Sequence, residues 1–345
     1  MRPGVTLRPL EPASAPAWDA FVQAHPDATF FHLAAWRDVI ERAFRHRTHY
    51  TLAERDGAIT GILPLAHVKT RLFGNALVSV PFCVYGGPLA TDAETAAALH
   101  SHAETLLHRT GAQVIELRQR EPGETDWIER PELYVTFRKP IAADDETNMK
   151  AIPRKQRAMV RKGIQNRLTA QIGHDVRVLH RVYAESVRNL GTPVFSRRYF
   201  RILTEAFRGA CDVLTVLDGE TPIAAVMNFY FRDEVLPYYG GGTQEARKRA
   251  GNDFMYWDVM RRAAARGCRL FDFGRSKIGT GSYAFKQNWG FDPAPLHYRY
   301  KLAAGARIPD NNPLNPKYRL FIAGWKRLPL PVANTIGPYL VRGLG

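Results

Sequence analysis

Apolar and polar positions alternate in the same order in the two halves of the chain. In each half, two strands joined by an Asp-Gly turn precede a third apolar run, a helix and a short buried strand. In the first half these segments are residues 50–54, 59–68, 76–84, 93–109 and 114–117, with Asp56-Gly57 as the turn. In the second half they are residues 213–217, 223–231, 235–238, 253–266 and 269–273, with Asp218-Gly219 as the turn. The pattern therefore predicts a duplicated unit.

The third apolar run ends in the same three residues in both halves. Tyr85-Gly86-Gly87 and Tyr239-Gly240-Gly241 follow the runs, and the intervals from Tyr85 to Glu116 and from Tyr239 to Asp272 are nearly equal. We predict an α/β (α+β) protein made of two tandem modules, each a mixed sheet flanked by helices. The predicted boundaries are 1–143 for the first module, 144–310 for linking helices and the second module, and 311–345 for a basic C-terminal tail.

The charge of the chain bears on its binding partner. The chain has 345 residues, with 48 Lys and Arg against 33 Asp and Glu, a formal net charge of +15. Such a surplus favours an anionic partner, although it also serves solubility. The three cysteines are far apart and form no CxxC pair, which fits a reducing compartment. No secretory signal and no apolar run of about 18 residues occurs, so we expect a cytoplasmic protein.

Part of the surplus lies in one predicted helix, RKQRAMVRKGIQNR, which follows Pro153. Ile152, Val160, Ile164 and Leu168 recur at helical spacing. Its candidate anion-binding residues are Arg154, Lys155, Arg157 and Arg161, and no acidic residue accompanies them. Because like charges at adjacent turns repel, the arrangement favours a bound phosphate. A solvated helix face is the alternative.

The segment FDFGRSKIGTGSYAFKQNWGF carries the second set of candidates. Its glycines allow close backbone approach to a ligand, but they do not have the spacing of a P-loop or a dinucleotide fingerprint. Lys286 lies among aromatic residues, where desolvation would strengthen its field. The candidates of this segment are Lys286 and Arg275 for catalysis, and Ser276, Lys277, Tyr283 and Trp289 for substrate binding. The alternative is structural, with Phe285 and Trp289 in the core and Lys286 solvated.

Two tyrosines are weaker candidates. Tyr239 for catalysis and Tyr85 for substrate binding end strands, where substrate-facing residues often occur, but packing would explain both equally well. The histidines form no metal-ligand pattern, so we expect no metal site. No GxSxG motif occurs, so a hydrolase triad has no support.

The tail from residue 311 to 345 combines basic residues with Trp and Leu and contains no acidic residue. Such a composition suits contact with a membrane interface. Docking of the tail on the body of the protein is the alternative.

These motifs together resemble a known family. The duplicated module is similar to tandem GNAT-like domains, as in the FemAB family, which adds amino acids to peptidoglycan precursors. RKQRAMVRKGIQNR resembles that family's arginine-rich helix, and GSYAFKQNWGF resembles its final motif. HLAAWRDVIERAF, RLFGNALVSVPFCVYGGPL and LGTPVFSRRYF, with FDFGRSKIGTGSYAFKQNWGF, resemble the FemAB-like proteins associated with exosortase (PEP-CTERM) and exopolysaccharide systems.

The resemblance implies an N-acyltransferase or aminoacyltransferase in which a substrate amine attacks an activated acyl group. Lys286 and neighbouring cations would hold a phosphate-bearing substrate or stabilise the transition-state charge. The implied acceptor is a phosphorylated or lipid-linked precursor of the cell envelope or of an exopolysaccharide, so the protein would work at the inner face of the cytoplasmic membrane. No tightly bound cofactor is implied.

The donor implied by the resemblance is aminoacyl-tRNA or acyl-CoA. GNAT enzymes that use acetyl-CoA hold its pyrophosphate in an Arg/Gln-x-x-Gly-x-Gly/Ala loop at a helix N-terminus. Here the interval from Arg247 to Gly251 is one residue too long, and Asp253 replaces a small residue. We expect this carboxylate to repel pyrophosphate, which favours aminoacyl-tRNA. The alternatives are an acyl-CoA-dependent N-acetyltransferase and a non-catalytic module that binds an anionic glycan or RNA.

Overall fold

A computed structural model describes residues 4–70, 74–123, 126–308 and 319–343, and the chain divides into two units. The first comprises residues 1–133, 295–311 and 342–345, and the second comprises residues 134–294 and 312–341. Residues 311–318 and 344–345 of the predicted tail lie outside the described residues.

Helices and strands are numbered along the chain. The helices are α1 (Ala15–Ala24), α2 (Ala35–Phe44), α3 (Ala93–Thr110), α4 (Asp145–Ala151), α5 (Arg154–Gln165), α6 (Val176–Leu190), α7 (Arg197–Ala206), α8 (Gln244–Arg249), α9 (Gly251–Ala265), α10 (Gly281–Asn288), α11 (Arg319–Arg327) and α12 (Leu330–Val341). The strands are β1 (Thr6–Pro9), β2 (Arg47–Arg55), β3 (Ala58–Thr70), β4 (Gly74–Ser79), β5 (Leu89–Ala90), β6 (Val114–Gln119), β7 (Ile128–Glu129), β8 (Tyr134–Pro140), β9 (Thr169–Gly173), β10 (Cys211–Asp218), β11 (Thr221–Phe231), β12 (Glu234–Gly242), β13 (Leu270–Asp272), β14 (Ser276–Lys277), β15 (Pro293–Pro295) and β16 (His297–Leu302).

Each unit contains one mixed sheet. The first has the order β1-β2-β3-β4-β6-β16-β7, with β5 paired to β3. The second has the order β14-β8-β13-β12-β11-β10-β9, with β15 paired to β8. In each sheet one pair of neighbours is parallel, β4 with β6 and β12 with β13, and the described remainder is antiparallel. Two mixed sheets flanked by helices confirm the predicted fold class.

The predicted hairpins form in both units. Asp56 (φ 53°) and Gly57 (φ 76°) connect β2 to β3, both with the left-handed backbone that a two-residue hairpin turn favours. Gly219 (φ 61°) begins the matching turn between β10 and β11. The apolar run at 76–84 is different, because β4 ends at Ser79 and Val80 (φ 46°) turns the chain away. Val80 and Cys83 are fully buried, so this run is apolar because its loop is buried.

The units differ from the predicted domain boundaries at more than one place. The second unit begins at Tyr134, ahead of the predicted residue 144, because β8 pairs with β13 of the second sheet. β16 follows the second half of the sequence but pairs with β6 and β7 of the first sheet. The sequence repeat did not include these two strands, since each adds to a sheet that is distant in sequence.

The basic helix α5 packs on α9 through its uncharged side. Gln156, Val160 and Gly163 are buried there, while most of the cations face outward. Gly163 allows the close approach, because a Cβ at this position would meet the Phe254 Cβ at 2.8 Å and the Ala250 carbonyl oxygen at 3.2 Å.

Gly163→Ala should therefore destabilise the protein by about 1–3 kcal/mol, the usual cost of overpacking a tight contact. Urea unfolding followed by circular dichroism measures this. Gly324→Ala, in α11, is the matched control, because nothing lies within 4 Å of its added Cβ. The control should be unchanged or up to ~1 kcal/mol more stable through helix propensity. Equal effects of the two substitutions would contradict the packing explanation.

Candidate active site

Lys286 lies in α10, a helix that begins after Thr280, whose hydroxyl accepts a hydrogen bond from the Tyr283 amide. The Lys286 side chain is buried, which excludes the alternative of a solvated lysine. Its Nζ donates hydrogen bonds to the carbonyl oxygens of Gly274 and Arg275, at 2.9 and 3.0 Å. A buried amino group thus points at the loop that follows β13.

The environment of Lys286 changes its protonation. Burial lowers the pKa of its ammonium from 10.5 to about 7, while the charge of Asp272 raises the pKa and that of Arg275 lowers it. The Nζ also lies 5.5 Å from the centre of the Phe137 ring. Near neutral pH, Lys286 therefore exists in both charged and neutral forms.

Asp272 holds the loop against which Lys286 lies. Its side chain is buried, and its Oδ1 accepts a hydrogen bond of 2.6 Å from the Gly274 amide. The Arg138 Nε, on β8, lies 3.3 Å from the Asp272 Oδ2, and Arg138 also pairs with Glu234. Sequence analysis selected neither Asp272 nor Arg138 as a site residue, because their partners are distant in sequence.

The other residues of this loop face Tyr134 of β8. The Arg275 guanidinium carbon lies 4.3 Å, and the Lys277 Nζ 5.1 Å, from the centre of the Tyr134 ring. Ser276 is buried, and its hydroxyl has no hydrogen-bond partner among the described residues. Two cations and an unpaired hydroxyl therefore lie within or directly after the loop whose carbonyl oxygens bind the Lys286 Nζ.

The two aromatic candidates of α10 and its end have different positions. Tyr283 is half-buried and packs edge-on against Phe137, with ring centres 5.4 Å apart. Trp289 is fully buried, and its Nε1 donates to the Asp253 Oδ1 at 3.2 Å. The expectation that Trp289 binds substrate directly is therefore corrected, because its ring belongs to the core of the second unit.

The expectation that Asp253 repels a pyrophosphate is also corrected. The carboxylate is buried and accepts hydrogen bonds from the Gln156 side chain of α5 and from Trp289. Burial raises its pKa, which favours the neutral form. The predicted loop is instead the short helix α8, and Ala250 (φ 59°) turns the chain into α9. The Asp253 argument against CoA therefore no longer holds, and the donor stays open.

The cations of α5 fit the predicted anion site. Arg154, Lys155 and Arg161 are exposed, and Arg157 is half-buried with its Nε enclosed and without a hydrogen-bond partner. In the described part of the chain, none of these four side chains pairs with a carboxylate. A solvated helix surface usually carries both signs of charge, so this one retains its capacity for an anion.

Tyr239 lies in an aromatic cluster. It is buried, and its hydroxyl shares a 2.7 Å hydrogen bond with that of Tyr199. The rings of Tyr183, Phe195, Phe200 and Tyr238 surround it. This position fits the packing alternative, and its catalytic role stays a prediction.

The first unit contains a cavity of about 640 Å³, lined in part by Tyr85. The Arg120 guanidinium, missed by sequence analysis, lies 5.6 Å from the centre of the Tyr85 ring and donates to the Asp27 carbonyl oxygen at 3.3 Å. Arg120 is half-buried, and none of the described carboxylates pairs with it. Its only sequence signal is one arginine in a polar segment.

Other site types have no support in the described residues. No group of three or more His, Cys, Asp or Glu side chains is arranged for a metal ion there. Within the same residues, no helix has the length and apolar character needed to cross a membrane.

The buried Lys286 predicts a pH dependence of stability. Between pH 7 and its unfolded value of 10.5, the unfolded chain binds more protons than the folded one. The free energy of unfolding should therefore rise with pH above 7, by up to ~1.4 kcal/mol per pH unit from this group. We expect urea unfolding between pH 7 and 8.5 to show this rise in the wild type and not in Lys286→Met. A rise of equal slope in both proteins would contradict the buried position.

Comparison with known proteins places this site within a recognised domain. Residues 148–287 match the family described as Acetyltransferase (GNAT) domain, a range that includes α5 and Lys286. Among curated proteins, none matches the sequence.

Solved structures share the fold of nearly the whole chain. FemX has a TM-score of 0.68 at 15% identity, covering 92% of this chain and 100% of its own. The C-terminal domain of a putative lysylphosphatidylglycerol synthetase from Agrobacterium fabrum has a TM-score of 0.55 at 13% identity, covering 85% and 93%. A tandem GNAT protein from the clavulanic acid biosynthesis pathway also has 0.55, at 11% identity, covering 88% and 100%. Residues 148–287 therefore match a GNAT acetyltransferase domain, and nearly the whole chain shares a tandem GNAT-like fold with these structures.

Proposed function

We propose that this enzyme transfers an activated acyl or aminoacyl group to an amine on a phosphorylated or lipid-linked precursor of the cell envelope or of an exopolysaccharide. The buried Nζ of Lys286, bound to two loop carbonyls and with a pKa near neutrality, is the observation that carries this proposal. Packing alone would not require an ionisable side chain at the buried position of Lys286.

The proposed reaction is direct transfer. The acceptor nitrogen attacks the acyl carbon, a C–N bond forms, and the C–O bond of an ester or the C–S bond of a thioester breaks. The proton lost by the amine ends on the departing oxygen or sulfur. Charged Lys286 stabilises the oxyanion of the tetrahedral intermediate, since a developing anion favours its protonated form.

The neighbouring candidates have supporting roles in this proposal. Arg275 adds positive charge for the transition state, while Ser276, Lys277 and Tyr283 contact the substrate. Ser276 has an unpaired buried hydroxyl, which supports its inclusion. Tyr239 contributes through the aromatic cluster around it.

The unpaired cations of α5 support a phosphate-bearing substrate. Arg154, Lys155, Arg157 and Arg161 would bind its phosphate, or the phosphates of a tRNA donor. Gln156 and Pro153 support this position, because they attach the start of α5 to Asp253 and to Gly290 after α10. In the first unit, Arg120 and Tyr85 would bind an anionic group of a substrate in their cavity.

Aminoacyl-tRNA is one candidate donor, and two of the fold neighbours support aminoacyl transfer. FemX has the highest TM-score of the three structures compared above, and the synthetase is named for lysylphosphatidylglycerol, a lysyl ester of the anionic lipid phosphatidylglycerol. A lipid-linked acceptor would place the enzyme at the inner face of the cytoplasmic membrane, with peripheral contact through its C-terminal segment. The resemblance to exosortase-associated proteins supports an exopolysaccharide precursor.

An acyl-CoA-dependent N-acetyltransferase is the second candidate, favoured by the GNAT match over residues 148–287. Incubation of the enzyme with acetyl-CoA or with aminoacyl-tRNA, each with amine-bearing phosphorylated sugars, separates the two by the mass added to the acceptor. Binding of an anionic glycan or RNA with no product from either donor would instead favour a non-catalytic module.

Lys286→Ala should lower kcat by about 10²–10³-fold, the usual loss for one oxyanion donor, while the fold persists. Mass spectrometry of the product measures the activity, and the far-ultraviolet circular dichroism spectrum reports whether the fold persists. Lys248→Ala is the control, because this lysine is exposed and pairs with Glu245. Full activity of the Lys286 variant would overturn the proposed role.

Arg154→Gln with Arg161→Gln should raise KM for the phosphorylated substrate about tenfold or more and leave kcat nearly unchanged, because these side chains bind a group that does not react. The control is Arg201→Gln, an exposed arginine of α7 that pairs with Glu205. Initial rates at several salt concentrations should show that the wild type loses more affinity with salt than the double variant does. An unchanged KM would contradict phosphate binding by α5.

A further inference from the structure

The C-terminal helices α11 and α12 each attach to α6 of the second unit by one face. Trp325 is buried and donates from its Nε1 to the Thr192 carbonyl oxygen at 3.1 Å. Ile322 fills the space beside Gly191, and Gly337 lies against Val194. These contacts hold the helices on the body of the protein, as the docking alternative from the sequence requires.

The opposite face of α12 is apolar and exposed. Val332, Ile336 and Tyr339, spaced four and three residues apart, form one stripe with exposed fractions of 43%, 39% and 81%. Ala333, Gly337 and Val341 form the buried stripe. α12 contains no charged residue, whereas a helix surface that faces water normally carries charges.

The exposed face of α11 combines apolar and basic side chains. Leu320 and Phe321 are exposed at 87% and 45%, and Arg319, Lys326 and Arg327 are exposed beside them in sequence. Five of the ten large hydrophobic residues exposed in the described chain lie in these two helices. This concentration in a short segment marks an interaction surface, since exposed apolar residues are otherwise scattered.

The charge of residues 311–345 indicates what binds to the exposed faces of α11 and α12. Residues 311–345 contain no Asp or Glu, so every formal side-chain charge here is positive. Apolar side chains can enter the acyl boundary of a bilayer while the cations remain at the headgroups. Each Lys or Arg near an anionic membrane surface adds to the attraction. A protein partner would need a surface that is both apolar and acidic. A leaflet of anionic lipid has both properties, because its acyl chains are apolar and its headgroups are negatively charged.

We propose that α11 and α12 form a peripheral membrane-docking surface that binds anionic phospholipid. The apolar stripe of α12 and the exposed Leu320 and Phe321 insert at the interface, and Arg319, Lys326 and Arg327 bind lipid phosphates. This surface gives a structural basis for the membrane contact proposed above, and its test is independent of acyl transfer because it requires neither donor nor acceptor.

The test is sedimentation of the full chain with vesicles of phosphatidylcholine containing 30% phosphatidylglycerol, compared with phosphatidylcholine alone. Wild-type protein should bind the anionic vesicles at least tenfold more tightly, and added salt should weaken the binding. Ile336→Ser with Tyr339→Ser should lower the affinity at least tenfold, and Lys326→Gln with Arg327→Gln should remove most of the preference for phosphatidylglycerol.

The matched control is Ile172→Ser, which makes the same change at an exposed isoleucine of β9. It should bind vesicles as the wild type does, and thermal unfolding should show that all variants fold. Wild-type affinity in the Ile336/Tyr339 variant, or equal loss in the control, would overturn the proposal. Concentration-dependent dimerisation that the Ile336/Tyr339 variant abolishes, without vesicle binding by the wild type, would assign the surface to a second copy and also overturn it.

Discussion

The Asp253 carboxylate accepts hydrogen bonds from Gln156 and Trp289, and the organisation of the second unit depends on this buried contact. Gln156 belongs to the basic helix α5, Asp253 lies in the first turn of α9, and Trp289 directly follows α10, the helix that carries Lys286. A buried carboxylate without hydrogen-bond partners destabilises the folded state, so the three segments depend on one another for their positions. Their shared contact fixes where α5 begins and where α10 ends.

Around this contact the second unit separates structural from reactive polar groups. Asp253 accepts hydrogen bonds from two side-chain donors that belong to other segments, so its role is structural. Burial raises the pKa of its carboxyl group. Lys286 is satisfied by two backbone carbonyls, and burial lowers its pKa to about 7. Backbone acceptors neutralise no charge, so the ammonium retains its attraction for a developing oxyanion. This difference in partners supports a structural role for Asp253 and the proposed catalytic role for Lys286.

The charge of the chain follows a similar division. Many arginines of the second unit pair with carboxylates, as Arg261 and Arg262 do with Asp258 on α9. The four candidate cations of α5 (Arg154, Lys155, Arg157 and Arg161) do not, and those of α11 lie in a segment without acidic residues. Part of the surplus of +15 therefore lies at two surfaces of the second unit that can meet anions of different kinds. In our proposals, the first surface binds the substrate and the second binds an anionic membrane.

The sequence by itself determined the elements that local chemistry encodes. The Asp-Gly turns, the helix periods of α3, α5, α6 and α9, and the repeated order of strands predicted two mixed sheets, because each signal lies within a few residues of its effect. Local chemistry and the family resemblance also singled out Lys286 and the α5 cations, whose roles stay predictions. Only the tertiary structure decided which sheet receives β8 and β16, that Trp289 and Asp253 face each other in the core, and that Asp272 and Arg138 support the Lys286 loop. These outcomes depend on contacts between residues far apart in the chain, which periodicity and spacing do not contain.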